Sequence, residues 1–112
     1  MKIAIIGSRN LQIRDLSPYV FEGDENVSGG ASGIDTCAAL YAKEKGLTLT
    51  VFLPEYKRYG RAAPIKRNYE IVDYADKIVA FWDGSSKGTL SVIRYAERIH
   101  KPCEVVLCKG DR

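Results

Sequence analysis

A chain of 112 residues, 46% hydrophobic and 28% charged, has the length of one domain and the composition of an ordinary folded protein. Disordered, collagenous and membrane-spanning classes are excluded; no apolar run approaches the ~20 residues that a spanning helix needs. The net charge of +3 is local: residues 57–67 hold Lys57, Arg58, Arg61, Lys66 and Arg67 without an acid, and the remainder carries twelve bases against fourteen acids.

In chain order, Ile3–Ile6 is a short, nearly continuous apolar run, the pattern of a strand buried on both faces. A weak helix is predicted over 15–22 and a short strand over Asn26–Ser28. Over 33–45, Ile34, Cys37, Ala38, Tyr41 and Ala42 recur at helical spacing. Leu47–Leu53 reads as another strand buried on both faces, and 62–74 as a helix with Ile65, Asn68, Tyr69 and Val72 on one face. The strand Lys77–Trp82, the helix 88–100 with its stripe of Val92, Ile93, Ala96 and Ile99, and the strand Cys103–Cys108 complete the pattern. This β-α-β-α-β-α-β-α-β alternation, with right-handed crossovers, predicts a single α/β domain over 1–112. Its architecture is a three-layer α/β/α sandwich on a Rossmann-like five-stranded parallel sheet of order 3-2-1-4-5.

Open parallel sheets bind ligands beyond the carboxyl ends of their strands. Three of the loops leaving those ends are rich in small residues: Gly7-Ser8-Arg9-Asn10, Ser28-Gly29-Gly30-Ala31-Ser32-Gly33 and Asp83-Gly84-Ser85-Ser86-Lys87-Gly88-Thr89. With order 3-2-1-4-5 they share one crevice, and the basic loop after the third strand can fold over it. Glycines admit backbone N–H groups close to an anion, and helix N-termini offer free donors and partial positive charge. A tight turn explains any one of these loops alone; three converging loops point to a phosphate site. Ser32-x-x-Asp35 matches a capping box, with ligand or catalytic duty for Asp35 as the other reading. Asn68, on an inward face, must bond either a neighbouring loop or a ligand. Arg67 is a candidate phosphate fork, and Tyr56 and Tyr59 could stack on a base. His100, the single histidine, is expected to stabilise a helix C-terminus. Neither a dinucleotide fingerprint nor a P-loop is present, and no residues have metal-ligand spacing. No cofactor or metal is expected.

Val27-Ser28-Gly29-Gly30-Ala31-x-Gly33-Ile34-Asp35, Arg67-Asn68 and Asp83-x-x-Ser86-x-Gly88-Thr89, after Ile3-Ala4-Ile5-Ile6-Gly7-Ser8-Arg9, resemble the SLOG superfamily of Rossmann-like domains. That superfamily joins the DNA-processing protein A/Smf family to the Lonely-Guy phosphoribohydrolases, and the small stand-alone YpsA/YspA-like members look most similar. The resemblance spans nearly the whole chain. It implies a nucleotide or nucleotide-derived ligand. Gly7, Ser8 and Arg9 would line the crevice, Gly29, Gly30, Gly33 and Asp35 would form the second loop, and Arg67 and Asn68 would face it. Ser86, Gly88 and Thr89, after Asp83, would take a phosphate. Lonely-Guy enzymes carry Pro-Gly-Gly-x-Gly-Thr-x-x-Glu, whereas here Asp83-Gly84-Ser85 replaces the start and Val92 the glutamate.

The reading is therefore a cytosolic binding or sensor domain. A nucleoside-monophosphate phosphoribohydrolase using Asp35 is the alternative, followed by single-stranded DNA binding, against which the focused charge argues. The odd trio Cys37, Cys103 and Cys108 fits reduced, packed thiols. Met1–Gly7 has too short an apolar stretch and no cleavage site for a secretory signal. Tyr69, Tyr74 and Tyr95 lie off the main apolar stripes and mark an expected homodimer contact.

Overall fold

The chain's most apolar runs become its innermost strands. The structure, a computed structural model, describes residues 1–13, 15–30 and 33–108. Strands β1 (Lys2–Gly7), β2 (Glu25–Ser28), β3 (Thr48–Val51), β4 (Lys77–Trp82) and β5 (Cys103–Leu107) form one sheet. All pair in parallel in the order β3-β2-β1-β4-β5, as predicted. Helix α1 (Ile34–Lys45) follows β2. The short α2 (Tyr56–Tyr59) runs through a 3-10 turn, Gly60–Ala62, into α3 (Ala63–Tyr74), and α4 (Lys87–Arg98) lies between β4 and β5.

Strand alternation divides the core between two faces. Ala4, Ile6, Val27, Ile78 and Ala80 meet Ile71, Val72 and Ala75 at the α3 end of the chain and Val92, Ile93 and Ala96 of α4. Ile3, Ile5, Val79 and Phe81 meet Ile34, Ala38 and Tyr41 of α1, joined by Leu11, Leu16 and Val20 of the β1–β2 connection.

Residues 15–22 of that connection form no helix, contrary to expectation. Tyr19 and Val20 donate to the Leu16 carbonyl, but this single turn does not propagate. Pro18 lacks an N–H. The Asp15 carboxylate takes the Ser17 N–H, and that of Asp24 takes the Phe21 N–H. Side chains thus capture donors a helix would use. Buried Leu16 and Val20, with Tyr19 edge-on to Phe81, still cover the sheet.

The outer strands are also less buried than their apolar runs predict. Val51 of β3 and Val105 and Leu107 of β5 are exposed, Leu107 at 70%, because they sit at the two sheet edges. Ile65 is 46% exposed although it shares a helical register with Val72. The first turn of α3 overhangs a cavity lined by Pro64, Arg67 and Asn68 instead of the core.

Helices α1 and α4 end in the same Schellman arrangement. Gly46 and Leu47 donate to Lys43 and Ala42; His100 and Lys101 donate to Glu97 and Ala96. Gly46 has φ 68° and His100 φ 60°, so histidine occupies a left-handed position that glycine takes at the other helix end. His100 is exposed one residue beyond the helix cap, which agrees with its assignment to a helix terminus.

Candidate functional site

The carboxyl ends of β1, β2 and β4 open into a cavity of about 420 Å³. Its wall includes Gly7, Ser8 and Arg9 after β1, Gly29 after β2, Asp35 on α1 and Arg67 and Asn68 on α3. Asp83 and Ser86 between β4 and α4, with Gly88 and Thr89 in the first turn of α4, close it, so eleven of the thirteen residues singled out from the sequence meet there. Ile6, Asn10, Pro64, Ile71 and Val92 also line it. Sequence periodicity placed the apolar members in the core; a wall that is core on one side and cavity on the other carries no separate pattern.

Gly30 and Gly33 lie outside that wall. Both have positive φ, 72° and 76°. A Cβ on Gly33 would stand 2.5 Å from the Arg9 carbonyl oxygen, so this glycine lets the β1 loop pass tightly over the start of α1. Gly30 is pressed against Leu53 and Val51. Their work is backbone geometry. The α1 N-cap is Gly33, which puts Asp35 at the second helical position; the Ser32 half of the expected capping box lies outside the described residues. Asp35 is 8% exposed.

Gly7 and Gly29 serve different ends. A Cβ on Gly7 would come within 2.5 Å of Ile34 Cγ1 and 2.7 Å of the Phe81 carbonyl oxygen, so Gly7 seats α1 on the sheet. At Gly29 the neighbour belongs to the cavity wall: the Arg67 guanidinium lies where a Cβ would project, 2.7 Å away at Nη1. Arg67 donates from Nη1 to the Gly29 carbonyl and from Nε to Asn68 Oδ1 at 2.8 Å. Asn68 thus bonds its neighbour rather than a loop, and it orients a half-buried cation in the cavity. Burial draws Arg67 below its usual pKa, the Asp35 charge opposes that shift and Arg9 adds to it. A guanidinium remains charged throughout.

The β4 loop is internally braced. The Asp83 carboxylate accepts the backbone N–H of Ser85 (2.9 Å) and Ser86 (2.8 Å), which hold it below the ordinary aspartate pKa. Asp83 N–H donates to Ser8 Oγ at 3.3 Å, tying the first and third loops together. Trp82 Nε1 donates to the Ser86 carbonyl at 3.0 Å. Ser86, the α4 N-cap, donates from Oγ to Thr89 Oγ1 at 3.4 Å and makes no side-chain bond to the helix backbone. The first turn of α4 holds no acid, whereas that of α1 holds Asp35. An anion therefore fits beside α4 and Arg67, and a neutral hydroxyl-bearing group beside Asp35.

Most of the basic segment stays out of the cavity. Lys57, Arg58, Arg61 and Lys66 are exposed on α2, the 3-10 turn and α3; only Arg67 lines the wall. Arg58 and Lys66 approach the Tyr59 ring at 5.1 and 5.9 Å, and Tyr56 is exposed. The segment does not fold over the crevice as expected, because α2 and the 3-10 turn carry it to the outer surface. The tyrosines marked for a dimer contact have partners within the chain: Tyr74 donates to Glu25 and Tyr95 to Asp73, and Tyr69 packs on Tyr95. Among the described residues there is no cluster suited to a metal ion, and no helix is long and apolar enough to cross a membrane. The three cysteines are unbridged. Set against protein-family models, curated proteins and solved structures, the chain finds no match.

Proposed function

We propose that the crevice binds a nucleotide or nucleotide-derived ligand, and that the domain acts as a cytosolic binding or sensing module of SLOG type. One observation carries the reading: a half-buried arginine, an acid-free helix N-terminus and a buried carboxylate on a second helix face the same cavity. The phosphate sits against Gly88, Thr89 and Arg67, where backbone donors and the guanidinium fork complement it. Asp35 is on the opposite wall, where a carboxylate can accept from ribose hydroxyls. The cavity size lies within the usual range for small-molecule sites. Unbridged thiols fit a reducing compartment.

Thermal unfolding with nucleoside monophosphates and with inorganic phosphate tests this. A ligand at 100 times its Kd stabilises a fold by about 2.7 kcal/mol. Arg67→Ala should lose most of that gain while its ligand-free melting temperature changes little. An equal response from parent and variant would overturn the assignment.

A further inference from the structure

We propose that the outer groove between α3 and α4, which shares no lining residue with the crevice, docks an acidic peptide segment of a partner protein. Three cations project along one stripe of α4: Lys87, Arg94 and Arg98. At 1.5 Å per residue, they are separated along the helix axis by about 10 and 6 Å. The groove holds about 610 Å³, and Tyr69, Tyr95 and Leu90 supply its apolar part.

Among the described residues no ion pair neutralises the stripe. Ion pairs among the described residues join Met1 to Asp24, Arg58 to Glu55 and Lys77 to Glu104; none uses α4. Residues 84–96 contain no acid, and Arg94 and Arg98 stand four apart, where like charges on a helix repel. Neither Asp73 nor Glu97 forms an ion pair with these cations. Asp73 accepts the Tyr95 hydroxyl at 2.8 Å. Burial first, and then the Glu97 charge, push the Cys103 thiol up. A face kept only for solubility is served by mixed Lys and Glu, whereas arginine and tyrosine together are the composition of binding hot spots.

Charge complementarity and ring geometry choose the occupant. Arginine forks match carboxylates bidentately, and an apolar side chain between acids can rest on Leu90 and the tyrosine pair. A nucleic-acid strand would need open ring faces for its bases. Tyr95 instead packs on Tyr69 with centroids 4.4 Å apart and lies 5.2 Å from the Arg98 guanidinium.

Fluorescence anisotropy with a labelled polyglutamate peptide bearing a central phenylalanine, at about 0.15 M salt, should show saturable binding. The exposed double variant Arg94→Glu/Arg98→Glu should weaken it at least tenfold with an unchanged circular-dichroism spectrum, and Lys87→Glu should weaken it less. Arg67→Ala should bind the peptide like the parent, which separates this surface from the crevice whether or not nucleotides bind there. Absence of peptide binding, equal binding by the double variant, or tighter binding of oligothymidylate than of the peptide would each overturn the proposal.

Discussion

The two ends of the sheet use similar side chains for opposite purposes. At the amino end, the charged groups and their neighbours bond one another, although the buried Asn26 Oδ1 has no hydrogen-bond partner among the described residues. The Met1 ammonium pairs with Asp24 at 3.3 Å, and the Lys2 N–H donates to Asp76. Tyr74 and Thr50 both donate to Glu25 at 2.6 and 2.8 Å, beneath a Lys2 ammonium 4.2 Å from the Tyr74 ring centroid. At the carboxyl end, strand termini give way to glycine loops, and Arg67, Asp35 and the start of α4 face an open cavity. The amino-end network is closed on itself, whereas the polar groups of the carboxyl end border open space. Substitutions at the two ends should therefore separate stability from binding.

The largest expected effect lies at the boundary between these roles. Gly7→Ala would drive a methyl into Ile34 and the Phe81 carbonyl, and the backbone oxygen cannot move aside. Overpacking of this kind costs about 3 kcal/mol, which urea unfolding would register. A loss below about 1 kcal/mol would mean that α1 is not seated as described. Gly29→Ala sharpens the contrast. Its methyl meets only the movable end of Arg67, so stability should change by less than about 1 kcal/mol. The nucleotide-induced thermal shift should nevertheless fall as far as in Arg67→Ala. A parent-like shift in Gly29→Ala would show that the guanidinium position does not matter for binding.

Smaller effects test the closed end. Hydrogen bonds from Tyr74 and then Thr50 hold Glu25 below the ordinary glutamate pKa. The stability it contributes is present above its unfolded pKa and is lost as the pH falls through the lower, folded value. Glu25→Gln should lower stability at neutral pH and flatten the acid limb of the stability profile. An unchanged acid limb would remove Glu25 from the account. At the end of α4, His100→Gly should raise stability by about 0.5 kcal/mol. Relief of the left-handed strain exceeds the extra chain entropy that glycine brings to the unfolded state. A drop in melting temperature would show that the imidazole has a stabilising contact.

Legibility from sequence followed the same division. Apolar runs and helical stripes specified the five strands and all three long helices, because burial repeats along the chain. Segment 15–22 misled: Leu16 and Val20 have helical spacing, but Asp15, Pro18 and Asp24 redirect the backbone donors. The loops showed where a site would be without distinguishing its glycines. Gly7, Gly29 and Gly33 look alike in sequence, yet one seats a helix, one admits an arginine and one lets a loop pass. Those differences depend on atoms distant in the chain.

The smallest expected effect is on chemistry. Cleaving an N-glycosidic bond passes through an oxocarbenium-like state and needs a group to protonate the base or activate water. Of the carboxylates in the crevice, Asp83 is fixed by the Ser85 and Ser86 N–H groups, which favour its ionised form and make it a poor proton donor. Arg67 cannot serve as a base. The position three residues after Thr89 is Val92, 2% exposed and packed with Ile93 and Ala96, so no acid stands where Gly-Thr-x-x-Glu would supply one. Among the described residues of the crevice wall, Asp35 and Asp83 are the only carboxylates. Incubation with nucleoside monophosphates should therefore release little or no free base by chromatography, even at concentrations that raise the melting temperature, and Asp35→Asn should not alter that background. Robust release abolished by Asp35→Asn would make the domain an enzyme, with Asp35 acting alone beside the ribose.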